Sequence, residues 1–296
     1  MTEEKKVAYS KSRKNTVFFD RISKAIYSLD DNVDIGFLEY ELVSRSRVRR
    51  PSAQISERIF FKYVKDKQNT VVLEVGGNDG RHTRRFLAET TATIHTFEPN
   101  VYAIKHFHDI IDEDRLHLNM YGLSSEQNLR TFNILTELEG KSLDPVNGCS
   151  SFNKLQGNSG YRTVGACCTT GAMYLETIGI AGNQYCLWID AEGHATEVLS
   201  GFGDTLRYAE IIICELENAD IYSSGANADD IIQILYAAGH EIVFRDFQNY
   251  GACNIVSVNK MLPINHESLM EPAHEFIANI SKLASSEDIF KCPMEK

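Results

Sequence analysis

The sequence predicts an α/β fold: a mostly parallel seven-stranded sheet with flanking helices and an antiparallel edge strand. Three observations carry this prediction. Short apolar runs alternate along the chain with stretches of helical periodicity. Two of those runs, Tyr185–Asp190 and Glu210–Glu215, are apolar almost throughout, as strands covered on both faces are. The run Val71–Val75 breaks into the glycine-rich turn Gly76–Gly77–Asn78–Asp79–Gly80, a strand-to-helix connection that lets backbone approach a ligand.

The elements follow in order. Residues 1–15 are polar and basic and are expected to fray. Phe18, Ile22, Ile26 and Leu29, then Phe37, Leu38 and Leu42, recur at helical spacing, with a break near Asp30–Asp34. The basic cluster Arg45, Arg47, Arg49 and Arg50 reads as a solvated helix end, with an anionic-substrate site as the competing reading. Ser52 stands where it would cap a helix through Val64. Strand 71–75 comes next, then a helix from Asp79 or Gly80, strand 93–97, a helix opened by Pro99, and a strand over 116–121. After strands 185–190 and 210–215, a helix over 226–238 precedes strands 240–245 and 253–258, spaced as an antiparallel hairpin at the sheet edge. One further helix is expected around Pro272–Leu283.

The interval 124–180 interrupts this rhythm with seven glycines and many Ser, Thr and Asn. It is too long for a default connector and reads as an insertion covering the cleft. The expected organisation is an N-terminal helical extension over 1–65, a binding domain over 66–260 carrying that insertion, and a polar C-terminal extension over 261–296.

Composition narrows the partners. The 296 residues carry 41 acids against 30 Lys and Arg, a net charge of −11, which disfavours long-range attraction to a nucleic acid backbone. No run of 18 apolar residues exists to span a bilayer, and the first residues are not an apolar signal core. Seven cysteines, an odd number with no Cys-x-x-Cys pair, do not form a disulfide scaffold, so a cytoplasmic setting is expected. The oligomeric state is left open.

The chemistry concentrates at strand ends. Glu74 lies two residues before Gly76, and the turn reads acid-x-Gly-x-Asn-x-Gly rather than the Gly-x-Gly-x-x-Gly of nicotinamide dehydrogenases. The next strand also ends in an acid, Glu98, which can accept hydrogen bonds from ribose hydroxyls. Asp190, Glu192 and His194 follow the fourth strand, where an α/β cleft presents its reactive groups. These three, with Glu215 or Glu217, are also candidates for a divalent cation, although no metal is required by the reading.

The turn resembles the nucleotide-binding loop of class I S-adenosylmethionine (SAM)-dependent methyltransferases. The strings Phe97–Glu98–Pro99–Asn100, Ile189–Asp190–Ala191–Glu192–Gly193 with Glu197–Leu199–Gly201 downstream, and Ile211–Glu215–Leu216 are similar, in that order, to motifs of the FkbM family. The resemblance spans roughly residues 71–217 and implies a Rossmann-like sheet, SAM as cofactor with S-adenosylhomocysteine (SAH) as product, and methyl transfer to a hydroxyl of a sugar, glycan or small natural product. It assigns Glu74, Gly76, Gly77, Asn78 and Gly80 to the cofactor turn. It adds Glu98, Pro99, Gly122 and Asp190 along the cofactor, with Asp190, Glu192 and His194 as candidates for orienting or deprotonating the acceptor. Trp188 departs from the family, which has Lys before the Ile-Asp pair, and is either core or a sign of a changed acceptor. The alternatives are a catalytically inactive SAM- or SAH-binding protein, and a methyltransferase acting on nitrogen or on a protein.

Overall fold

The computed structural model describes residues 17–44, 46–217, 221–223, 228–248 and 251–285. The basic cluster Arg45 to Arg50 lies outside the residues whose side chains are described. Three helices lead in: α1 (Val17–Tyr27), α2 (Ile35–Ser44) and α3 (Ser46–Lys65). The main sheet is built from β1 (Val71–Val75), β2 (Thr93–Phe97), β3 (Leu116–Asn119), β8 (Tyr185–Ile189), β9 (Ala209–Glu217), β10 (His240–Arg245) and β11 (Ala252–Asn259). Between them lie α4 (Arg81–Glu89), β4 (Gly122–Leu123), β5 (Asn128–Leu138), β6 (Lys141–Ser142), β7 (Ser159–Thr169), α5 (Gly171–Thr177), α6 (Ala195–Phe202) and α7 (Ala228–Ala237). Helix α8 (His266–Ala284) follows the last strand.

The strand order is β10-β11-β9-β8-β1-β2-β3. β9, β8, β1, β2 and β3 run parallel, while β11 is antiparallel to both of its neighbours. The expected hairpin stands at the sheet edge, and its reversed member, β11, is one place in from that edge. This is the Rossmann-like topology of class I SAM-dependent methyltransferases. The inner strands alternate between two cores, because successive side chains leave opposite faces of a strand. Val72, Trp188, Ile211, Ile213 and Val256 pack with Ile59, Phe60 and Val64 of α3 and with Ala273 and Ile280 of α8. Leu73, Val75, Leu187, Ile189 and Ile212 pack on the other face with Val198, Leu199 and Phe202 of α6 and Ile231 and Leu235 of α7.

The N-terminal helices are tied to this sheet by buried polar contacts as well as by core. Arg245 of β10 is fully buried and forms an ion pair with Glu39 of α2 at 3.0 Å. Tyr27 of α1 donates to the Arg245 carbonyl at 2.5 Å.

Three local expectations are corrected. Helix α3 starts before Ser52, which is buried in its interior and bonds both the N–H and the carbonyl of Phe247 at 3.1 Å, so it is no cap. Pro99 opens no α-helix. Glu98 takes the Asn100 N–H and Asn100 Oδ1 takes that of Tyr102, which satisfies those donors locally, and only a 3₁₀ turn forms at Ile104–Phe107. The third strand stops at Asn119 rather than at residue 121, because the chain leaves the sheet there and pairs β4 in parallel with β7. Within the 124–180 interval, β5 and β7 form a long antiparallel hairpin in a second sheet of order β4-β7-β5-β6.

Candidate active site

Register lines up the strand ends. Val75 pairs with Phe97 on one side and with Ile189 on the other, and Ile189 pairs with Cys214. The residues that follow, Gly76, Glu98, Asp190 and Glu215, therefore stand in one row at the carboxyl edge of β1, β2, β8 and β9. Backbone bonds hold the row: Asp190 donates its N–H to the Val75 carbonyl at 2.9 Å, and Gly76 and Gly77 donate theirs to Phe97 at 3.0 and 3.2 Å. Gly76 has φ +93°, and a Cβ there would lie 1.8 Å from the Asp190 carbonyl oxygen, so the two strand ends close on each other only over a glycine.

Above this row lies a cleft of ≈ 250 Å³. Val75, Gly76, Asn78 and Arg81 line it from β1 and the start of α4, and Phe97, Glu98, Pro99 and Asn100 from β2. Gly122, Leu123, Phe132, Gly148, Ser150 and Phe152 line it from the second sheet and its loop, and Asp190, Ala191, Glu192 and His194 from the end of β8. The cleft thus gathers most of the residues expected from sequence. Three expected cofactor residues are placed elsewhere. Gly77 packs against Thr96 and Phe107, and Gly80, with φ +73°, sits against Arg84 and Phe107. Both shape the turn and are absent from the cleft lining. Glu74 is fully buried beneath it, where its Oε2 accepts from Thr83 Oγ1 at 2.5 Å and Thr96 Oγ1 at 2.7 Å.

Glu98 is the most completely organised group. Its Oε2 accepts the Asn78 N–H and its Oε1 the Asn100 N–H, both at 2.6 Å. Each oxygen keeps a second lone pair for a ligand hydroxyl. Burial outweighs these bonds and pushes its carboxyl up to about 7. Burial does the same to Glu74, also to about 7, and among the described residues Glu74 Oε1 has no hydrogen-bond partner.

The far end of the row is strongly acidic. One ligand oxygen each from Asp190, Glu192 and Glu215 lies within 4.8 Å of the others. Burial, together with the neighbouring carboxylates, raises Glu192 and Glu215 well above the usual range, and burial raises Asp190. Glu217, also raised by burial, to about 8, takes the Gly193 N–H at 2.6 Å. Carboxyls this close in a low dielectric share protons or a bound cation, and oxygen ligands at this spacing suit a hard divalent ion.

His194 does not join that group. It is buried, with Nε2 3.2 Å from Ser124 Oγ and Nδ1 3.4 Å from Asn153 Nδ2 and 3.6 Å from Glu197. Burial, then Arg130, depresses its imidazole to about 3. The ring lies beside Phe152, with ring centroids 5.0 Å apart, and the depressed value makes it a weaker proton acceptor than an ordinary histidine although it lines the cleft. Trp188 is core: its ring meets Phe60, Phe61 and Phe86 edge-on at 5.3–5.9 Å and carries His82 at 4.5 Å. Sequence reasoning missed Phe132, Phe152 and Tyr222. They reach the cleft or its acids through the second sheet and the segment after β9, and no local spacing marks them.

No protein-family model matches the chain. A curated relative, the 2-O-methyltransferase NoeI of Sinorhizobium fredii (strain NBRC 101917 / NGR234), is 22% identical over 202 residues, which are 64% of this chain and 80% of the relative. Similar solved structures include a Burkholderia thailandensis 1,6-didemethyltoxoflavin-N1-methyltransferase with bound 1,6-didemethyltoxoflavin and SAH, at 11% identity and TM-score 0.35, covering 75% of this chain and 87% of that one. Another is a Geobacter metallireducens precorrin-6y C5,15-methyltransferase, at 8% identity and TM-score 0.36, covering 68% and 87%. The fold assignment rests on the strand order and not on these alignments. Among the described residues, no helix is long and apolar enough to cross a membrane.

Proposed function

We propose that this protein is a SAM-dependent methyltransferase of the FkbM kind, transferring a methyl group to a hydroxyl oxygen of a sugar, glycan or small natural product. The observation that carries the reading is Glu98. Its two oxygens, each steadied by one backbone N–H, stand beside an open glycine turn and across the cleft from acids. A vicinal ribose diol offers two donors to such a carboxylate. The donor set fits the rest of the cofactor. Glu74 leaves a buried oxygen unpaired below the turn, and Asp190 and Glu192 supply the negative field that a sulfonium and an ammonium require. Pro99, Gly122 and Leu123 give a largely apolar flank for a base.

The bound cofactor supplies an electrophilic methyl on a cationic sulfur. The protein's own part is to orient the acceptor and take its proton. Asp190 fills that part, with Glu192 beside it to orient the hydroxyl, because a carboxylate with a raised pKa is a better base than an ordinary one as long as it is ionised. Positioning contributes the larger share of the rate in such a displacement. The relative named as a 2-O-methyltransferase supports oxygen as the accepting atom. The hairpin of β5 and β7 would select the acceptor through the loop that carries Ser150 and Phe152.

The test is incubation of the full chain with SAM and a panel of hydroxyl-bearing sugars and glycans, reading SAH and acceptor mass. One added methyl on oxygen is expected. Methylation confined to amines would overturn the choice of oxygen, and failure to bind either SAM or SAH would overturn the reading itself.

A further inference from the structure

We infer that Tyr222 is a positioning residue that sets the direction of the Glu192 carboxylate at the acceptor end of the cleft. The inference rests on the proposed SAM reading and deepens it. Tyr222 lies in the short described segment after β9 and is almost fully buried. Its hydroxyl donates to Glu192 Oε2, and among the described residues it is the group that hydrogen-bonds the Glu192 carboxylate. The other oxygen is left for whatever occupies the cleft that Glu192 lines.

The attachment is built into the backbone on both sides. Glu192 has φ +50° and Gly193 φ +76°, a left-handed pair that few side chains tolerate. A Cβ on Gly193 would stand 2.3–2.6 Å from the Tyr222 side chain, so only glycine lets the ring lie flat on this turn. Ser151 Oγ donates to the Glu192 carbonyl at 2.5 Å and Asn153 Nδ2 to that of Gly193 at 2.7 Å, while Glu217 takes the Gly193 N–H. Tyr222 is itself stapled to the same loop. Leu155 and Tyr222 form an isolated antiparallel bridge, Gln156 donates its N–H to the Ile221 carbonyl and Ser223 donates its N–H to that of Lys154, both at 2.8 Å. The loop of the second sheet and the segment after β9 therefore form one clamp, and Tyr222 is its contact with the Glu192 side chain.

The test needs no acceptor. SAH lacks the transferred methyl, whereas sinefungin carries a cationic amine in its place, so the ratio of their affinities reads the negative field at that position. Titration calorimetry on the full chain at pH 8 is expected to give a ratio that falls about tenfold in Tyr222→Phe, the scale of one hydrogen bond to a charged group. SAH affinity should be unchanged. Glu192→Gln should lower the ratio by itself, and adding Tyr222→Phe to it should lower it no further. Replacing Tyr222 with 3-fluorotyrosine, a stronger donor of nearly the same shape, should keep the ratio at or above the wild-type value and covers the case in which the phenylalanine variant does not fold. Intact SAH binding with an unchanged ratio, or an additive double variant, overturns the positioning role. Absence of SAH binding in the wild type instead overturns the cofactor reading on which it rests.

Discussion

Replacing Glu98 with alanine should weaken SAH binding about 100-fold without unfolding the protein. The magnitude follows from the geometry. Each Glu98 oxygen already accepts one backbone N–H at 2.6 Å and has room for one ribose hydroxyl. A hydrogen bond to a charged group contributes about 1.5–3 kcal/mol, so losing two costs about 3 kcal/mol at the lower bound, or about two decades in Kd. Part of this depends on ionisation. Burial holds the carboxyl at about 7, so the wild type should bind SAH more tightly as pH rises from 6 to 8, and the variant should lose that rise. Glu98→Gln, which keeps one acceptor, should fall between the two. Titration calorimetry with the full chain at pH 8 reads all three. An alanine variant within twofold of wild type, with the same pH dependence, would refute the ribose contact.

Three further outcomes are expected. Glu74 is fully buried with its carboxyl raised from 4.5 to about 7, so its stabilising contribution is complete below pH 4.5 and is lost as pH rises through 7; wild type should therefore lose about 3 kcal/mol relative to Glu74→Gln between pH 4.5 and 8.5 in urea melts of the ligand-free protein, and a pH-independent difference would contradict this. Gly76→Ala places a methyl 1.8 Å from the Asp190 carbonyl at φ +93° and should cost at least about 3 kcal/mol of stability, read as a lower Tm. Trp188→Ala should cost about 3–5 kcal/mol because the ring fills a buried aromatic cluster, yet leave SAH affinity within a fewfold in the molecules that remain folded; a selective loss of binding would mean that the ring serves the cleft.

The sheet was legible because its strands are local: β1, β2, β8 and β9 announce themselves as apolar runs, and three of these runs end in acids, Glu98, Asp190 and Glu215, that register then brings together. Glu98 and the turn could be read from about twenty-five consecutive residues. The acceptor end could not. Glu192 and Glu215 meet only after β8 and β9 pair, and Phe152 and Tyr222 arrive from hairpin and loop contacts with no periodic signature. The partners of His194 were not legible either, because position after a buried strand says nothing about which way a ring turns, and here its nitrogens turn to Ser124 and Asn153. The interval 124–180 hid its hairpin because β7 is rich in Gly, Thr and Ser and only two of its residues are buried, so it lacks the apolar alternation that marks a strand.

The most direct test of the central claim is a crystal structure of the full chain with SAH. The account predicts density along the edge of β1, β2 and β8, with both ribose hydroxyls within hydrogen-bond distance of Glu98 and the sulfur towards Asp190 and Glu192. A nucleoside bound elsewhere, or bound in the cleft with its ribose turned away from Glu98, would contradict it.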